Sequence, residues 1–363
     1  MRYVVGTFLL LLSSACGAPA VDGQVLPNWA TPEELAQASQ MPPALTAPDS
    51  VPPQQIRLPA EFEQHRAVVI TYAAFTPLLD SIARNVAAAG AEVWAVGGPA
   101  SITGVPAAQY KPLAFAYDSV WSRDYGPFGI DEATGDLAIT DTTYRHYLTR
   151  TGDDAIPCEV AGYAGAACYH TKLILDGGNI MSDGQGNVFV TRRIYTWNST
   201  LTEAEVDQLL HDYLGAKTIH KLAYATTSKG APADGTGHID MFAKILKPCT
   251  VIVAQTTNAT FKPALEAAAT YFAGLECAPQ RTYEVLRVPG YYTGGTWYTY
   301  TNSLLVNDHV LVPSYKNGND AGAQKVYQQA LPGYTVAMMP SDDIIKLGGS
   351  VHCVTKEIPA TPR

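Results

Sequence analysis

Five polar or reactive residues recur at similar intervals along this chain of 363 residues. Each begins an apolar block, and their separations are 52, 62, 64 and 51 positions: Asp124, Asp176, His238, Asn302 and Cys353. Repeats that surround an axis each deliver one side chain to a common centre. A thiol, an imidazole and carboxylates that meet at one centre describe an active site better than a packed core.

The intervals contain a recurring strand–helix–strand order. Valine-rich strands are predicted at 67–70, 188–190, 251–253 and 310–312, followed by helical patterns at 78–86, 202–214, 261–273 and 320–330. A hairpin between Gly126 and Tyr144 supplies a further unit, although its helix is not evident. Units with one helix each cannot bury their own apolar faces, so they must pack together. The sequence therefore predicts an α/β fold of about five strand-rich units from about residue 61 onward, closed into a ring around a central site. An ordinary α/β sandwich with accidental periodicity is the alternative.

Composition narrows the class of partner. Hydrophobic content of 47% with 16% charged residues is typical of a globular protein. The net charge of −9 argues against a nucleic-acid partner, because binding to phosphates needs a basic surface. An acidic protein instead attracts cationic small molecules or basic peptides.

The N-terminus predicts export. Residues 1–16 combine a positive start, an apolar run and small residues, as in a secretory signal peptide. The end of this segment also resembles a bacterial lipoprotein signal, which would attach the protein to a membrane through lipidated Cys16. We expect a secreted or cell-envelope protein. Residues 17–60 hold nine of the 25 prolines and are predicted to be an arm or linker with a short helix starting at Thr31.

Four further cysteines suit an oxidising compartment once Cys16 and Cys353 are set aside. The favoured pairings are Cys158–Cys168 and Cys249–Cys277, because both close local loops. Four buried free thiols are the alternative.

Three short segments carry the candidate chemistry. If residues 238–240 form a strand, His238 and Asp240 point to the same face. The segment 121–127 suits a rigid rim beside a pocket, although Arg123 could simply pair with Asp124. At 348–354, two glycines precede Cys353, and in an extended segment His352 would point away from it. His238 is then the better acid or base.

Carboxylates beside a thiolate would raise the pKa of the thiol and repel an acidic substrate. They suit a substrate that brings a positive charge, and a guanidinium pairs with carboxylates in a planar, bidentate geometry. Its central carbon is also an electrophile that a thiolate can attack. The composition of the site therefore points to a substrate guanidinium.

The order and spacing of five motifs resemble the guanidine-modifying (pentein) superfamily of α/β propellers. The resemblance implies a five-bladed α/β propeller over residues 61–357, with ββαβ repeats around a central active site. The motifs are WSRDYGP at 121–127, DGGN at 176–179, GHID at 237–240, NS at 302–303 and GGSVHC at 348–353. Within that superfamily the chain is most similar to the branch of agmatine deiminases and the bacterial (Porphyromonas-type) peptidylarginine deiminase. Many relatives carry Glu where Asp176 stands, so Asp176 is expected to be structural.

The resemblance implies a role for each remaining residue. Cys353 would attack the guanidinium carbon and form a thiouronium intermediate, while His238 protonates the departing ammonia and then activates water. Asp124 and Asp240 would hold the guanidinium nitrogens. Trp121 would wall the pocket, and Asn302 would orient the reacting groups. The family needs no organic cofactor, and a structural Ca²⁺ or Na⁺ ion is compatible with it.

Export favours peptidylarginine as the substrate and leaves agmatine as the alternative. An enzyme specific for C-terminal arginine would need a positively charged side chain to bind the α-carboxylate of the substrate. Arg145 and Arg150 are the candidates for this role. Asp153 and Asp154 nearby could instead meet the amine of agmatine. Two other classes stay open: a zinc hydrolase that uses His238 with Asp240 and Cys353, and a non-catalytic binding propeller.

Overall fold

A computed structural model describes residues 25–41 and 49–360. The predicted signal peptide with Cys16 lies outside these residues. Within them the α-helices are α1 Pro32–Gln40, α2 Thr76–Ala88, α3 Ser122–Tyr125, α4 Thr151–Ala164, α5 Arg193–Trp197, α6 Glu203–Leu214, α7 Lys262–Gly274 and α8 Asp320–Ala330.

The strands in the same residues are β1 His65–Thr71, β2 Glu92–Val96, β3 Tyr110–Leu113, β4 Phe128–Asp131, β5 Leu137–Thr143, β6 Ala167–Ile174, β7 Ile180–Ser182, β8 Asn187–Thr191, β9 Thr218–Leu222, β10 Ala243–Lys247, β11 Thr250–Gln255, β12 Glu276–Ala278, β13 Arg281–Thr282, β14 Glu284–Thr293, β15 Thr296–Thr299, β16 Leu304–Val306, β17 His309–Ser314, β18 Thr335–Pro340 and β19 Lys356–Pro359.

Five of the sheets formed by the described residues follow one plan. Two antiparallel strands are followed by a helix and by a strand that runs parallel to the second of them, as in β4-β5-β6, β7-β8-β9, β10-β11-β14 and β16-β17-β18. The fifth sheet joins β19 to β1 and β2, with Ala67 opposite Ile358. This confirms the α/β fold of five ββαβ units, and the β19–β1 pairing joins the last unit to the first.

Burial on both faces explains why the strands are so apolar. Val68, Val69 and Ile70 of β1 are completely buried, as are Val310 and Leu311 of β17. Strands covered on both sides read as continuous hydrophobic runs and not as an alternation. The helices cover one face of these sheets, which leaves the strand ends free to present polar side chains.

The helix of the second unit, α4, was not evident in the sequence. It contains Pro157 and the glycines Gly152 and Gly162, which hide the helical pattern. The helix ends at Gly165, whose φ of 69° is the left-handed conformation that favours glycine. The disulfide between Cys158 and Cys168 then ties α4 to β6.

Both predicted disulfides are present in the structure. Cys158 pairs with Cys168, and Cys249 pairs with Cys277. Cys353 is the free cysteine of the described residues, and it is buried. None of the helices in residues 25–41 and 49–360 is both long and apolar enough to cross a bilayer.

The predicted helix in the arm begins where the sequence indicates. Thr31 caps α1 by accepting a hydrogen bond from the Glu34 amide, and the Glu34 carboxylate accepts one from the Thr31 amide. This reciprocal pair satisfies two amides that a helix start leaves without partners. Residues 25–34 pack against the propeller, so in this part of the arm the chain is held and does not act as a free tether. The outer boundaries of the arm and of the signal peptide stay predictions.

Candidate active site

Side chains from two units converge on the backbone of Gly178, which belongs to a third unit. A Cβ atom built on this glycine would stand 2.6 Å from Nδ1 of His238, 2.8 Å from Oδ1 of Asp124 and 3.1 Å from Oδ2 of Asp240. These three side chains are buried. A residue larger than glycine would occupy the space between these side chains, which we call the chamber.

The repeat explains why these residues meet. Each lies in a short turn or helix immediately before the first strand of its unit, at the same end of each sheet. Asp124 precedes β4, Asp176 precedes β7, His238 and Asp240 precede β10, Asn302 precedes β16 and Cys353 precedes β19. The regular intervals between these residues in the sequence therefore reflect the lengths of the structural units.

The thiol of Cys353 lies in a tightly packed corner. A Cβ atom built on Gly349 would stand 2.7 Å from Sγ of Cys353 and 2.8 Å from Cζ3 of Trp121. The indole of Trp121 therefore walls the thiol on this side, across the bare backbone of the glycine. On the other side Sγ lies 3.6 Å from Oδ2 of Asp240.

Asn302 links the thiol to the carboxylate of Asp240. Its Nδ2 donates to Asp240 Oδ2 at 3.0 Å and to Cys353 Sγ at 3.1 Å. Its Oδ1 accepts from the amides of Ser350 at 2.9 Å and Cys353 at 3.3 Å. The side-chain amide is thereby fixed at both ends, and it sets the distance between the sulfur and the acid.

Two carboxylate oxygens in the chamber lack a donor. Among the described residues, neither Oδ2 of Asp124 nor Oδ1 of Asp240 has a hydrogen-bond partner, although both atoms are buried. Burying an acceptor without a donor is unfavourable, so such atoms call for an explanation. A ligand that carries several N–H donors would supply what both oxygens lack.

Asp176 contacts the imidazole of His238, although the sequence indicated a structural role. Its Oδ2 lies 3.2 Å from Nε2 of His238 and 3.1 Å from Nε of Arg145, and Asp124 Oδ1 lies 3.5 Å from Nδ1 of His238. Burial alone would lower the pKa of His238, but the carboxylates of Asp124 and Asp176 raise it above its ordinary value. The imidazole is thus held between two acids that favour its protonated form.

His352 does not point away from the site, because residues 352–354 form a 3₁₀ helix and not an extended segment. Its Nδ1 lies 2.7 Å from Asp240 Oδ2, and its Nε2 lies 2.8 Å from Oε2 of Glu61. Likewise, residues 239–241 form a 3₁₀ helix, and the strand predicted from 238 begins only at Ala243. The extended conformation predicted for each of these two segments was wrong for the same reason. A single helical turn beside glycines has too few residues to show a helical pattern in the sequence.

Glu61 was missed by sequence reasoning. It is bonded by His352 and by Nζ of Lys244, at 2.6 Å to Oε2, and it accepts from the amide of Leu305 at 2.9 Å. Its contacts are hundreds of positions apart in the sequence, so no local pattern marks them. Arg123 pairs with Glu357 at 2.5 Å and not with Asp124, the pairing that the sequence left open as an alternative.

The two arginines predicted to bind a substrate carboxylate have carboxylate partners from the protein. Arg145 pairs with Asp176, at the edge of the chamber. Arg150 is buried, and its guanidinium is bonded to Glu34 at 2.7 and 3.0 Å. Asp153, considered as a partner for an amine, accepts hydrogen bonds from Ser119, including 2.6 Å from the hydroxyl.

The surroundings of the thiol hold it in its neutral form. Burial, followed by the carboxylates of Asp240 and Asp124, raises the pKa of Cys353 well above its ordinary value. Burial and the neighbouring carboxylates of Asp176 and Asp240 also raise the pKa of Asp124, to about 6, against the opposing effect of His238. The site therefore concentrates negative charge on neighbouring buried carboxylates. A bound cation would reduce the repulsion between them.

One group of site residues has the arrangement of metal ligands. Ligand atoms of Asp124, Asp176 and His238 all lie within 4.8 Å of one another. This group does not include Cys353, whereas the zinc-hydrolase hypothesis grouped the thiol with His238 and Asp240. The thiol instead lies beside an amide and a carboxylate, as a nucleophile would.

Residues 57–359 match the family of Porphyromonas-type peptidyl-arginine deiminases. The chain belongs to this family. Among its relatives, the agmatine deiminase of Pseudomonas aeruginosa (strain LESB58) is 26% identical over 291 residues, which are 69% of this chain and 77% of the relative. The agmatine deiminase of Ectopseudomonas mendocina is 26% identical over 284 residues, covering 67% and 75%.

A solved structure shows the same fold. The agmatine deiminase of Enterococcus faecalis aligns with a TM-score of 0.74 at 21% identity, over 86% of this chain and 99% of its own. Together with the family match, these relatives establish a hydrolase that acts on C–N bonds in linear amidines. The resemblance read from the five motifs is thus confirmed.

Proposed function

We propose that this protein is an agmatine deiminase, which converts agmatine and water to N-carbamoylputrescine and ammonia. The observation that carries the proposal is the pair of buried carboxylate oxygens without donors, on Asp124 and Asp240. A guanidinium has five N–H donors in one plane and a positive charge. The relatives named above are agmatine deiminases, which favours agmatine over peptidylarginine, the substrate that export had placed first.

The geometry supports a covalent mechanism. The bound guanidinium, held by Asp124 and Asp240, brings its positive charge beside Cys353, so the thiol loses its proton to solvent and reacts as the thiolate. The sulfur attacks the central carbon and forms a C–S bond, and one C–N bond then breaks as His238 gives its proton to the leaving ammonia. Water, deprotonated by the now neutral His238, attacks the thiouronium carbon. The adduct loses its hydroxyl proton to solvent as the C–S bond breaks, which releases the ureido product and restores the thiolate, with His238 again protonated.

Enclosure of the site also favours a small substrate. The side chains of Cys353, His238 and Asp124 are completely buried, and Trp121 above the thiol is equally covered. A free guanidine can be surrounded on all sides, whereas a peptidyl arginine carries a backbone that must leave the chamber, in one direction from a C-terminal arginine and in both directions from an internal one. Burial strengthens the charge interactions that the reaction needs.

The direct test is a colorimetric assay for ureido product with agmatine, free arginine, and peptides with internal or C-terminal arginine. We expect agmatine to give the highest kcat/KM, and the Cys353→Ala and Asp240→Asn variants to lose turnover with folding intact by circular dichroism. Faster turnover of either peptide than of agmatine would replace this proposal by peptidylarginine deimination. Parent-level activity of Cys353→Ala would remove thiol catalysis altogether.

We further propose that the protein is exported, on the evidence of the signal-like residues 1–16 and the two disulfides. Fractionation of expressing bacteria tests this, because a purely cytoplasmic product with reduced cysteines would contradict it. A Cys16→Ala variant that moves from the membrane to the soluble envelope fraction would indicate lipid attachment.

A further inference from the structure

The described part of the N-terminal arm crosses directly over the chamber. The carbonyl oxygen of Leu26 accepts a hydrogen bond of 2.9 Å from Nε1 of Trp121. The ring of Trp121 and Sγ of Cys353 both face the backbone of Gly349, since each would stand within 2.8 Å of a Cβ atom built on that glycine. Only one indole ring therefore separates the arm from the nucleophile.

The next residues of the arm reach the other side of the chamber. Arg145 donates to the carbonyl oxygen of Asn28 at 2.5 Å and to its Oδ1 at 3.2 Å, and the same guanidinium pairs with Asp176 at 3.1 Å. Asp176 in turn contacts His238. Asn28 is completely buried by these contacts. The arm is thus connected to the imidazole side of the site as well as to the thiol side.

Trp29 bridges the two loops that deliver the acid and the nucleophile. A Cβ atom built on Gly235, three residues before His238, would stand 2.8 Å from the indole of Trp29. One built on Gly348, five residues before Cys353, would also stand 2.8 Å from this ring. A single side chain of the arm therefore rests on both loops at once.

A charged pair fastens the arm. Arg150 is buried, and it donates to both carboxylate oxygens of Glu34 and, at 3.1 Å, to the carbonyl oxygen of Trp29. Glu34 is the buried residue of α1, whereas Leu35 beside it is 61% exposed. Helix α1 thus lacks an apolar face against the propeller, and its attachment rests on this bidentate pair. Releasing this pair therefore frees α1 without exposing an apolar face of the helix.

We propose that residues 25–34 form a lid that closes the Cys353 chamber and restricts it to small free guanidines, with the Glu34–Arg150 pair as its latch. The proposal rests on the proposed function for the identity of the small substrate. The family match begins at residue 57, so the lid lies outside the part of the chain that the family shares. The residues flanking a peptidyl arginine would have to occupy the space that Leu26, Asn28 and Trp29 fill.

The first experiment measures access to the thiol in the full chain and needs no turnover. Alkylation of Cys353 by iodoacetamide and by a bulky maleimide is followed by peptide mass spectrometry, which separates it from Cys16. Glu34→Gln should accelerate the reaction with the bulky reagent by about tenfold or more, because it leaves Arg150 buried beside a neutral partner. The control is Glu33→Gln, an exposed neighbour on α1 with the same change of charge, which should react at the parent rate.

The second experiment compares substrates. Glu34→Gln should raise the ratio of kcat/KM for an arginyl peptide to that for agmatine by about tenfold, and Asn28→Ala should act in the same direction if Glu34→Gln fails to fold. Equal alkylation rates in parent and Glu34→Gln would overturn the lid. Faster alkylation with an unchanged substrate ratio would overturn its role in specificity.

These outcomes separate the lid from the proposed function. If no guanidine is turned over while Glu34→Gln still exposes the thiol, the function fails and the lid stands. If agmatine is hydrolysed but neither reagent size nor substrate size responds to Glu34→Gln, the function stands and the lid fails.

Discussion

His352 Nδ1 lies 2.7 Å from the Oδ2 atom of Asp240, the carboxylate that faces the thiol. Although burial alone would raise the pKa of Asp240, the hydrogen bond from His352 and its charge lower it below the ordinary value. The acid is thus kept ionised in a fully buried position. The histidine adjacent in sequence to Cys353 therefore contacts the carboxylate proposed to bind the guanidinium, and not the sulfur.

Replacing this histidine should weaken the binding of the guanidinium. In His352→Ala the contact to Asp240 is lost, so we expect kcat/KM for agmatine to fall by about 10- to 100-fold, as for loss of a hydrogen bond to a charged group. Most of the fall should be a rise in KM. His309→Ala, which removes a histidine that contacts Asp308 outside the site, is the matched control. An unchanged KM would mean that Asp240 does not depend on His352.

Filling the chamber from Gly178 should stop the reaction without unfolding the protein. In Gly178→Ala the added methyl would stand 2.6 Å from the imidazole of His238 and 2.8 Å from Asp124. We expect kcat/KM to fall by at least about 100-fold, since small displacements of reacting groups are costly. The free energy of unfolding should fall by only about 1–3 kcal/mol.

A second glycine supplies the control for that substitution. Gly162 is exposed in α4, and a Cβ atom there would meet nothing within 4 Å. Gly162→Ala should leave kcat/KM unchanged and leave stability the same or slightly higher. Parent activity in Gly178→Ala would show that the substrate does not occupy the space beside this glycine.

The pH dependence should report the contact between Asp176 and His238. Their interaction raises the pKa of His238, so the proton-donating form of the imidazole persists to higher pH. In Asp176→Asn the alkaline limb of the kcat/KM profile should move to lower pH by on the order of one unit. An unmoved alkaline limb would assign that limb to another group.

The same shift has a consequence for stability. A histidine whose pKa is raised in the folded state contributes stability that is complete below the ordinary pKa of histidine, about 6.5, and is lost as the pH rises through the higher, folded value. Asp176→Asn should therefore lose more stability in mildly acidic buffer than in alkaline buffer, when unfolding by urea is compared at both pH values.

The disulfide between Cys249 and Cys277 should stabilise the fold without taking part in catalysis. It closes a loop with a sequence separation of 28, far from the turns that carry the site. The double variant Cys249→Ser with Cys277→Ser should lose about 2–4 kcal/mol of unfolding free energy, by the effect of loop closure on the unfolded chain. Its kcat for agmatine at 25 °C should equal that of the parent, and a large loss of kcat would contradict this division.

Sequence reasoning located the units because their strands and helices are locally patterned. The helix predicted at 320–330 is α8 to the residue, and the strands at 188–190 and 310–312 lie inside β8 and β17. Helix α4 escaped because Pro157 and the glycines around it obscure helical spacing. The five repeated positions of the site were visible for the same reason that the strands were: each has a fixed place in its unit.

The residues that sequence reasoning missed act only across the fold. Glu61 and His352 are 291 positions apart, and nothing in either neighbourhood marks their contact. Arg150 was read as a receptor for a substrate carboxylate, and the carboxylate it holds belongs to Glu34. A guanidinium does need an acid, but only the fold determines which acid it receives.

The pairing of β1 with β19 determines when the site is completed during synthesis of the chain. Asp124 and His238 belong to units that can assemble while the chain is still being made. The sulfur of Cys353 lies just before β19, which must pair with β1, the first strand of the propeller in sequence. A partly synthesised chain therefore holds the carboxylate of Asp124 and the imidazole of His238 before the thiol of Cys353 is in place. The thiol joins the other site residues only when β19 pairs with β1 and closes the propeller.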